Sequence, residues 1–185
     1  MDIDWNAELV EQLDWHWQHQ LRPRMDGLTD DEYFWEPVAG PCWSVRARGE
    51  NTPASAPGSG QYTIDFAFPQ PVPPPVTTIS WRLAHVIVGC FGMRNAAHFG
   101  GPPVDYATFP YAGTAARALD QLDDAYAGWV KGVRSLGADG LRRPCGPAEP
   151  YPEVSMAVLV LHINREVIHH GAEIALLRDL YRDRG

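Results

Sequence analysis

Cysteine is scarce in this 185-residue chain: Cys42, Cys90 and Cys145 form an odd, widely spaced set with no Cys-x-x-Cys pair. Such a set fits reduced, structural thiols better than a disulfide framework. Basic charge is also short. Fifteen Lys and Arg face 23 Asp and Glu, for a net charge of −8. With no basic patch to offset that excess, no nucleic-acid partner is expected. Long apolar runs are missing too, so no membrane span is predicted. The opening MDIDWNAELVEQ has no basic-then-apolar leader, and a soluble cytoplasmic protein is the expectation. No internal repeat or heptad array interrupts the chain.

What is present suits one domain over residues 1–185. Hydrophobic residues make up 45% and aromatics 11%, including seven Trp, which is ample for a sizeable core. Aromatics in surplus of what one core can bury suggest a homodimer through helix faces.

The stretch from Ser155 to Arg182 organises the rest. It has no Pro, and its single Gly171 is flanked by helix formers, so it reads as one long helix. At about 100° per residue, His162, Glu166, His169, His170 and Glu173 fall within an arc of about 100°. Val158, Leu159, Ile163, Ile174, Leu176 and Leu177 lie on or beside that arc, so the polar stripe is expected to face the interior. Burying three imidazoles and two carboxylates without partners would cost several kcal/mol. A divalent metal satisfies them economically. Glu166 and His170, one turn apart, can address a common ion, with a third ligand from another helix.

Three further long helices are predicted. Asp4 to Met25 carries Leu9, Leu13, Trp17 and Leu21 at helical spacing, and Pro23 kinks or ends it. Thr77 to Phe99 places Trp81, His85, Val88 and Gly92 on one face, with Thr78 or Ser80 as cap. Thr114 to Leu136 carries Leu119, Leu122, Tyr126, Trp129 and Val133. A short helix begins at Thr29-Asp30-Asp31-Glu32 and stops at Pro37. Val38 to Val76 reads as a long Pro/Gly-rich loop between the first and second long helices, with one strand through Tyr62, Ile64, Phe66 and Phe68. Such a loop is either a lid over a site or a surface insertion. Gly101–Gly113 and Gly137–Val154 read as connections. The fold class is therefore all-α, a four-helix bundle with its polar site between facing helices. His85 is the third metal ligand this pattern offers. His16 and His19 are read as polar positions, with His16 alternatively lining a pocket wall, His98 as a helix C-terminal dipole partner, Asp123 and Asp124 as a solvated face, and Arg165 as a flanking salt-bridge residue.

The block NREVIHHGAEI resembles the last-helix signature of the DinB-like superfamily of metal-binding four-helix bundles. Glu166 stands where the first metal histidine of that signature usually does, and His169-His170 overlie its paired histidines. TISWRLAHV resembles the segment bearing the family's remaining ligand, at His85. The resemblance thus implies His85, Glu166 and His170 as ligands, with His169 as a substitute for His170 or a hydrogen-bonding neighbour. The glutamate departs from the common all-histidine set and resembles the His/Glu/His set of mycothiol-dependent maleylpyruvate isomerases.

Three ligands of N/N/O type leave a coordination position for water or a thiolate, as catalytic sites do. Zinc or nickel is expected first, with iron or manganese as alternatives. One reading is a metal-dependent transferase that activates a low-molecular-weight thiol cosubstrate toward a small molecule. A variant is a hydrolase using metal-bound water, with Glu173 or His162 as the catalytic acid–base groups. The remaining reading is a non-catalytic, metal-stabilised binding or dimerisation module.

Overall fold

The first helix, α1 (Trp5–His16), starts where Asp4 can cap it: the carboxylate accepts from the N–H groups of Asn6 and Ala7, each at 3.1 Å. The helix widens into a π-turn at Trp17–Leu21 and finishes as a 3-10 turn at Pro23–Met25. Proline's missing N–H and its ring explain the stop. The Leu13, Trp17 and Leu21 seam is buried as its spacing requires. A short helix, α2 (Asp30–Tyr33), follows the cap of Thr29 Oγ1 on the Glu32 N–H. This computed structural model describes residues 2–184.

Next comes a rod of three consecutive segments: α3 (Ile79–His85), a π-turn at Val86–Gly92, and α4 (Met93–Phe99). Thr78 caps it, and Gly100 closes it in the left-handed conformation (φ +70°) that glycine adopts without strain. Beyond it lie α5 (Ala115–Arg134), the short α6 (Gly137–Arg142) and α7 (Met156–Arg182), the last capped by Ser155. The protein is thus predominantly helical with a few short strands. α5 packs on the π-turn of the rod and on α1, and α7 packs on both α1 and that π-turn. Phe91, Trp129, Met156, Ile163 and Ile174 fill the space between them. Trp17 stacks face to face on Tyr126 at 3.7 Å. Among the described residues no helix is long and apolar enough to cross a membrane.

The Val38–Val76 stretch differs from the loop expected of it. It carries two small sheets. β1 (Cys42–Trp43) pairs in parallel with β4 (Val76–Thr77), and β2 (Val45–Ala47) pairs antiparallel with β3 (Tyr62–Ile64). The strand expected to run through Phe68 ends at Ile64, leaving Phe66 and Phe68 61% and 90% exposed. Asp65 turns the chain there: its carboxylate accepts from the Ser44 N–H (3.0 Å) and Arg46 Nε (2.6 Å). Pro69 then offers no ladder donor. A second difference is α6, within the expected Gly137–Val154 connection. Its six residues are too few to show a hydrophobic period.

These strands fix the start of the helix that carries His85. The Thr78 N–H donates to Trp43 O (2.9 Å), and the Thr78, Ser80 and Ser44 hydroxyls form a buried chain at 2.8 and 3.0 Å. Ser80 Oγ also accepts from the Val45 N–H, and Trp81 Nε1 donates to Asp65 O at 2.9 Å. Buried hydroxyls satisfied in this way hold one arrangement, since leaving any of them unpaired would cost about 1–3 kcal/mol. On the other side of the site, Asn164 of α7 donates to Leu9 O of α1 at 2.8 Å.

Candidate metal centre

His85 ends α3 where the backbone widens into the π-turn. Gly89, one turn on, is there because of what approaches it: a Cβ at this position would overlap Tyr106 Oη. That space lets Tyr106 Oη sit 2.7 Å from His85 Nδ1. Trp81 stacks on the same imidazole, with centroids 5.5 Å apart and planes 11° apart. The Tyr106 backbone is itself held by the Tyr111 hydroxyl, 2.8 Å from its carbonyl. Burial, with His170, Arg82 and Arg94 nearby, drives His85 down to about 3. The ring is therefore neutral, the form in which a histidine ligates. With Nδ1 engaged by Tyr106, Nε2 is the nitrogen left to an ion.

From α7, the one-turn spacing brings Glu166 Oε2 to 3.6 Å from His170 Nε2. The His170 ring meets His85 edge-on, centroids 4.8 Å apart and planes at 90°. One ligand atom from each of His85, Glu166 and His170 lies within 4.8 Å of the others. An ion about 2.1 Å from each of two ligands holds them no more than about 4.2 Å apart. Closing the remaining few tenths of an ångström is within the reach of side-chain torsions. Two imidazoles and a carboxylate are also the donor chemistry of an open zinc-type site.

A layer of partners surrounds this group. Glu173 Oε2 lies 2.8 Å from His170 Nδ1 and 3.0 Å from Arg82 Nε. Burial lowers the His170 pKa; the Glu173 hydrogen bond opposes the shift and the Arg82 charge adds to it. Arg82 is likewise shifted down, by burial first. Cys90, beneath the site, is pushed up to about 12 by burial and by Glu166, so it stays a thiol.

The sequence model of the DinB superfamily matches residues 12–174. The chain belongs to the DinB superfamily. No curated protein and no solved structure matches it. The matched span of this DinB-superfamily chain includes each of the site residues just described, and metal binding is frequent in the superfamily.

Within the polar stripe of α7, only His170 is fully buried, at 7% exposure, whereas His169 is exposed and His162, Glu166 and Glu173 lie between. The interior-facing stripe expected from the periodicity is therefore an edge stripe, with Val158 and Leu176 exposed beside it. Side chains spread over 100° of arc cannot all meet one facing helix, and α3 covers only the middle of the row. His169 Nε2 stands 3.4 Å from Glu173 Oε1 and groups with His170 and Glu173, not with His85. His162 Nδ1 lies 3.5 Å from Glu166 Oε1 and accepts from Arg165 at 2.7 Å.

Two contributors escaped the sequence reading. Arg82 had a signal, three residues before His85 on the same helix. Tyr106 had none, since its connection shows no period. His98, expected to answer a helix dipole, is buried against Glu149 at 2.9 Å, and Arg94 holds the other Glu149 oxygen at 2.8 Å. Asp123, expected on a solvated face, pairs with Arg22 at 2.8 Å. His19 stacks on Trp15 at the surface, and burial lowers the His16 pKa.

Proposed function

We propose that the protein is a metal-dependent enzyme on a DinB-type four-helix bundle. It would activate a low-molecular-weight thiol for transfer to a small electrophilic substrate, with His85, Glu166 and His170 as ligands to zinc or nickel. The observation that carries this reading is the meeting of three neutral or anionic donors from two helices within 4.8 Å of one another. The glutamate among them favours the thiol-using branch that the sequence resembles.

A divalent ion bound there would make a thiol or a water molecule much more acidic at neutral pH. The chain's own residues set up that chemistry. Tyr106 fixes the ring plane of His85, and Glu173 fixes that of His170 by taking the Nδ1 hydrogen bond. Arg82 balances the Glu173 charge and keeps that carboxylate from leaving the imidazole. His162, half exposed beside Glu166, would carry the proton that the nucleophile loses. Cys90 stays protonated in the core and is not itself the nucleophile.

Elemental analysis of the purified chain, followed by thiol consumption with mycothiol and an electrophilic unsaturated acid, tests the reading. One ion per chain and thiol loss that disappears in H85A, E166A and H170A are the expected results. Zinc-loaded protein that neither binds nor consumes thiol would overturn it. A hydrolase is the second reading, because His162 beside Glu166 could equally deprotonate water. Ester cleavage without added thiol would select it. A metal that raises the melting temperature while no small molecule reacts would mark the ion as structural.

A further inference from the structure

A cavity of about 300 Å³ lies between α7 and the 145–154 segment, with His162 and Arg165 in its lining. Its size is at the lower bound of ordinary ligand sites, about 300–1,000 Å³. Its lining is mostly apolar: Val158 and Leu159 of α7 form one wall and Tyr151 stands at the rim. Tyr151 and Val158 are 75% and 49% exposed, so apolar surface around the opening has no cover from the chain itself. Its polar lining is Arg94, the Glu149 carboxylate that Arg94 holds, His162 and Arg165.

The two arginines differ. Arg94 is tied down, to Glu149 at 2.8 Å and to Gly89 O, and Glu149 is answered a second time by His98. Arg165 is 69% exposed and donates to His162 Nδ1 at 2.7 Å. As expected of a flanking salt-bridge residue, it pairs with Glu166 Oε1 at 3.8 Å, an ion pair too long for a hydrogen bond and one that leaves its donors available. Among the described residues, no carboxylate lies within hydrogen-bond distance of Arg165. A planar fork of donors at the mouth of an apolar pocket matches a carboxylate better than any neutral group.

We propose that this cavity receives a small organic carboxylate with an apolar body, its carboxylate on Arg165 and its body against Val158, Leu159 and Tyr151. This names the substrate class for the enzyme proposed above and rests on that reading only for the ligand's role; the pocket itself needs no ion. His162, which lines the cavity, lies 3.5 Å from Glu166 Oε1 and links this cavity to the candidate ligand set.

The test compares 3-phenylpropanoate with 3-phenylpropanamide by calorimetric titration of the full chain, zinc-loaded and chelator-stripped. The acid binds at least tenfold more tightly than the amide in both forms. R165Q removes that preference, and V158W, which narrows the opening from a half-exposed position, weakens both probes while zinc stoichiometry stays at wild-type level. Equal binding of acid and amide, a preference that survives R165Q, or acid binding that vanishes with the zinc would each overturn the proposal. Zinc uptake without acid binding sinks the pocket and spares the metal reading. Acid binding by a chain that takes up no metal does the reverse.

Discussion

Replacing Tyr106 with phenylalanine removes one hydroxyl from the candidate metal centre and leaves the ring that packs beside Gly89. Among the described residues, the hydroxyl is the only group within hydrogen-bond distance of His85 Nδ1, at 2.7 Å, in a pocket closed on one side by Trp81. Its loss leaves a buried ring nitrogen unpaired, which costs about 1–3 kcal/mol. For a chain of this size, each kcal/mol lowers the melting temperature by about 2–4 °C, so Y106F without metal should melt about 2–12 °C below wild type. The larger effect falls on affinity, because an unanchored ligand ring rotates freely; loss of such an anchor weakens binding about 10–100-fold. Competition for zinc against a chromophoric chelator reads this directly. Y111F is the matched control, since its hydroxyl reaches only the Tyr106 backbone carbonyl. It should lower stability and leave zinc affinity within twofold of wild type. Y106F with unchanged affinity, in a background where H85A abolishes binding, would refute the anchoring argument and reduce Tyr106 to packing.

Three other outcomes follow from the same geometry. In metal-free protein, His85 is held near 3 against 6.5 for an ordinary histidine, so the unfolded chain takes up its proton first. Stability should therefore be intact above pH 6.5 and fall as pH drops toward 3, at up to about 1.4 kcal/mol per unit from this group; urea midpoints at pH 7, 6 and 5 in wild type and H85Q measure it, and identical slopes would contradict it. G89A gains about 1 kcal/mol of helix propensity but displaces the Tyr106 hydroxyl, and its zinc affinity should fall as far as that of Y106F; wild-type affinity in the chelator assay would show that Tyr106 can move without loss. R178M strands the buried Glu32 carboxylate, which now receives Arg178 Nε at 2.6 Å and its NH2 at 3.2 Å, so chemical denaturation should show a loss of about 3–5 kcal/mol, partly recovered by adding E32Q; a loss below 1 kcal/mol in R178M would mean that water reaches Glu32.

How far the centre could be read in advance depends on the range of the interaction that makes it. Glu166 and His170 were legible because a helix converts a four-residue interval into adjacency, and His85 because one inward histidine on a second amphipathic helix has few other places to face. The elements that hold them were not. The parallel pair Cys42–Trp43 with Val76–Thr77 joins residues more than thirty positions apart through two-residue strands, too short for any alternation to show. Yet that pair, with the hydroxyls of Ser44, Thr78 and Ser80, fixes the first turn of the His85 helix. Tyr106 sits in a connection without periodicity, and its role was written in Gly89, which the sequence presents only as a helix glycine with room beside it. A helical glycine carries an intrinsic penalty of about 1 kcal/mol, which a close approach can offset. Here the approach is a hydroxyl on a histidine. In a helical protein whose candidate ligands are visible from spacing, the glycine one turn past a candidate ligand histidine is therefore the place to look for what orients it, and G89A and Y106F should fail in the same way for the same reason.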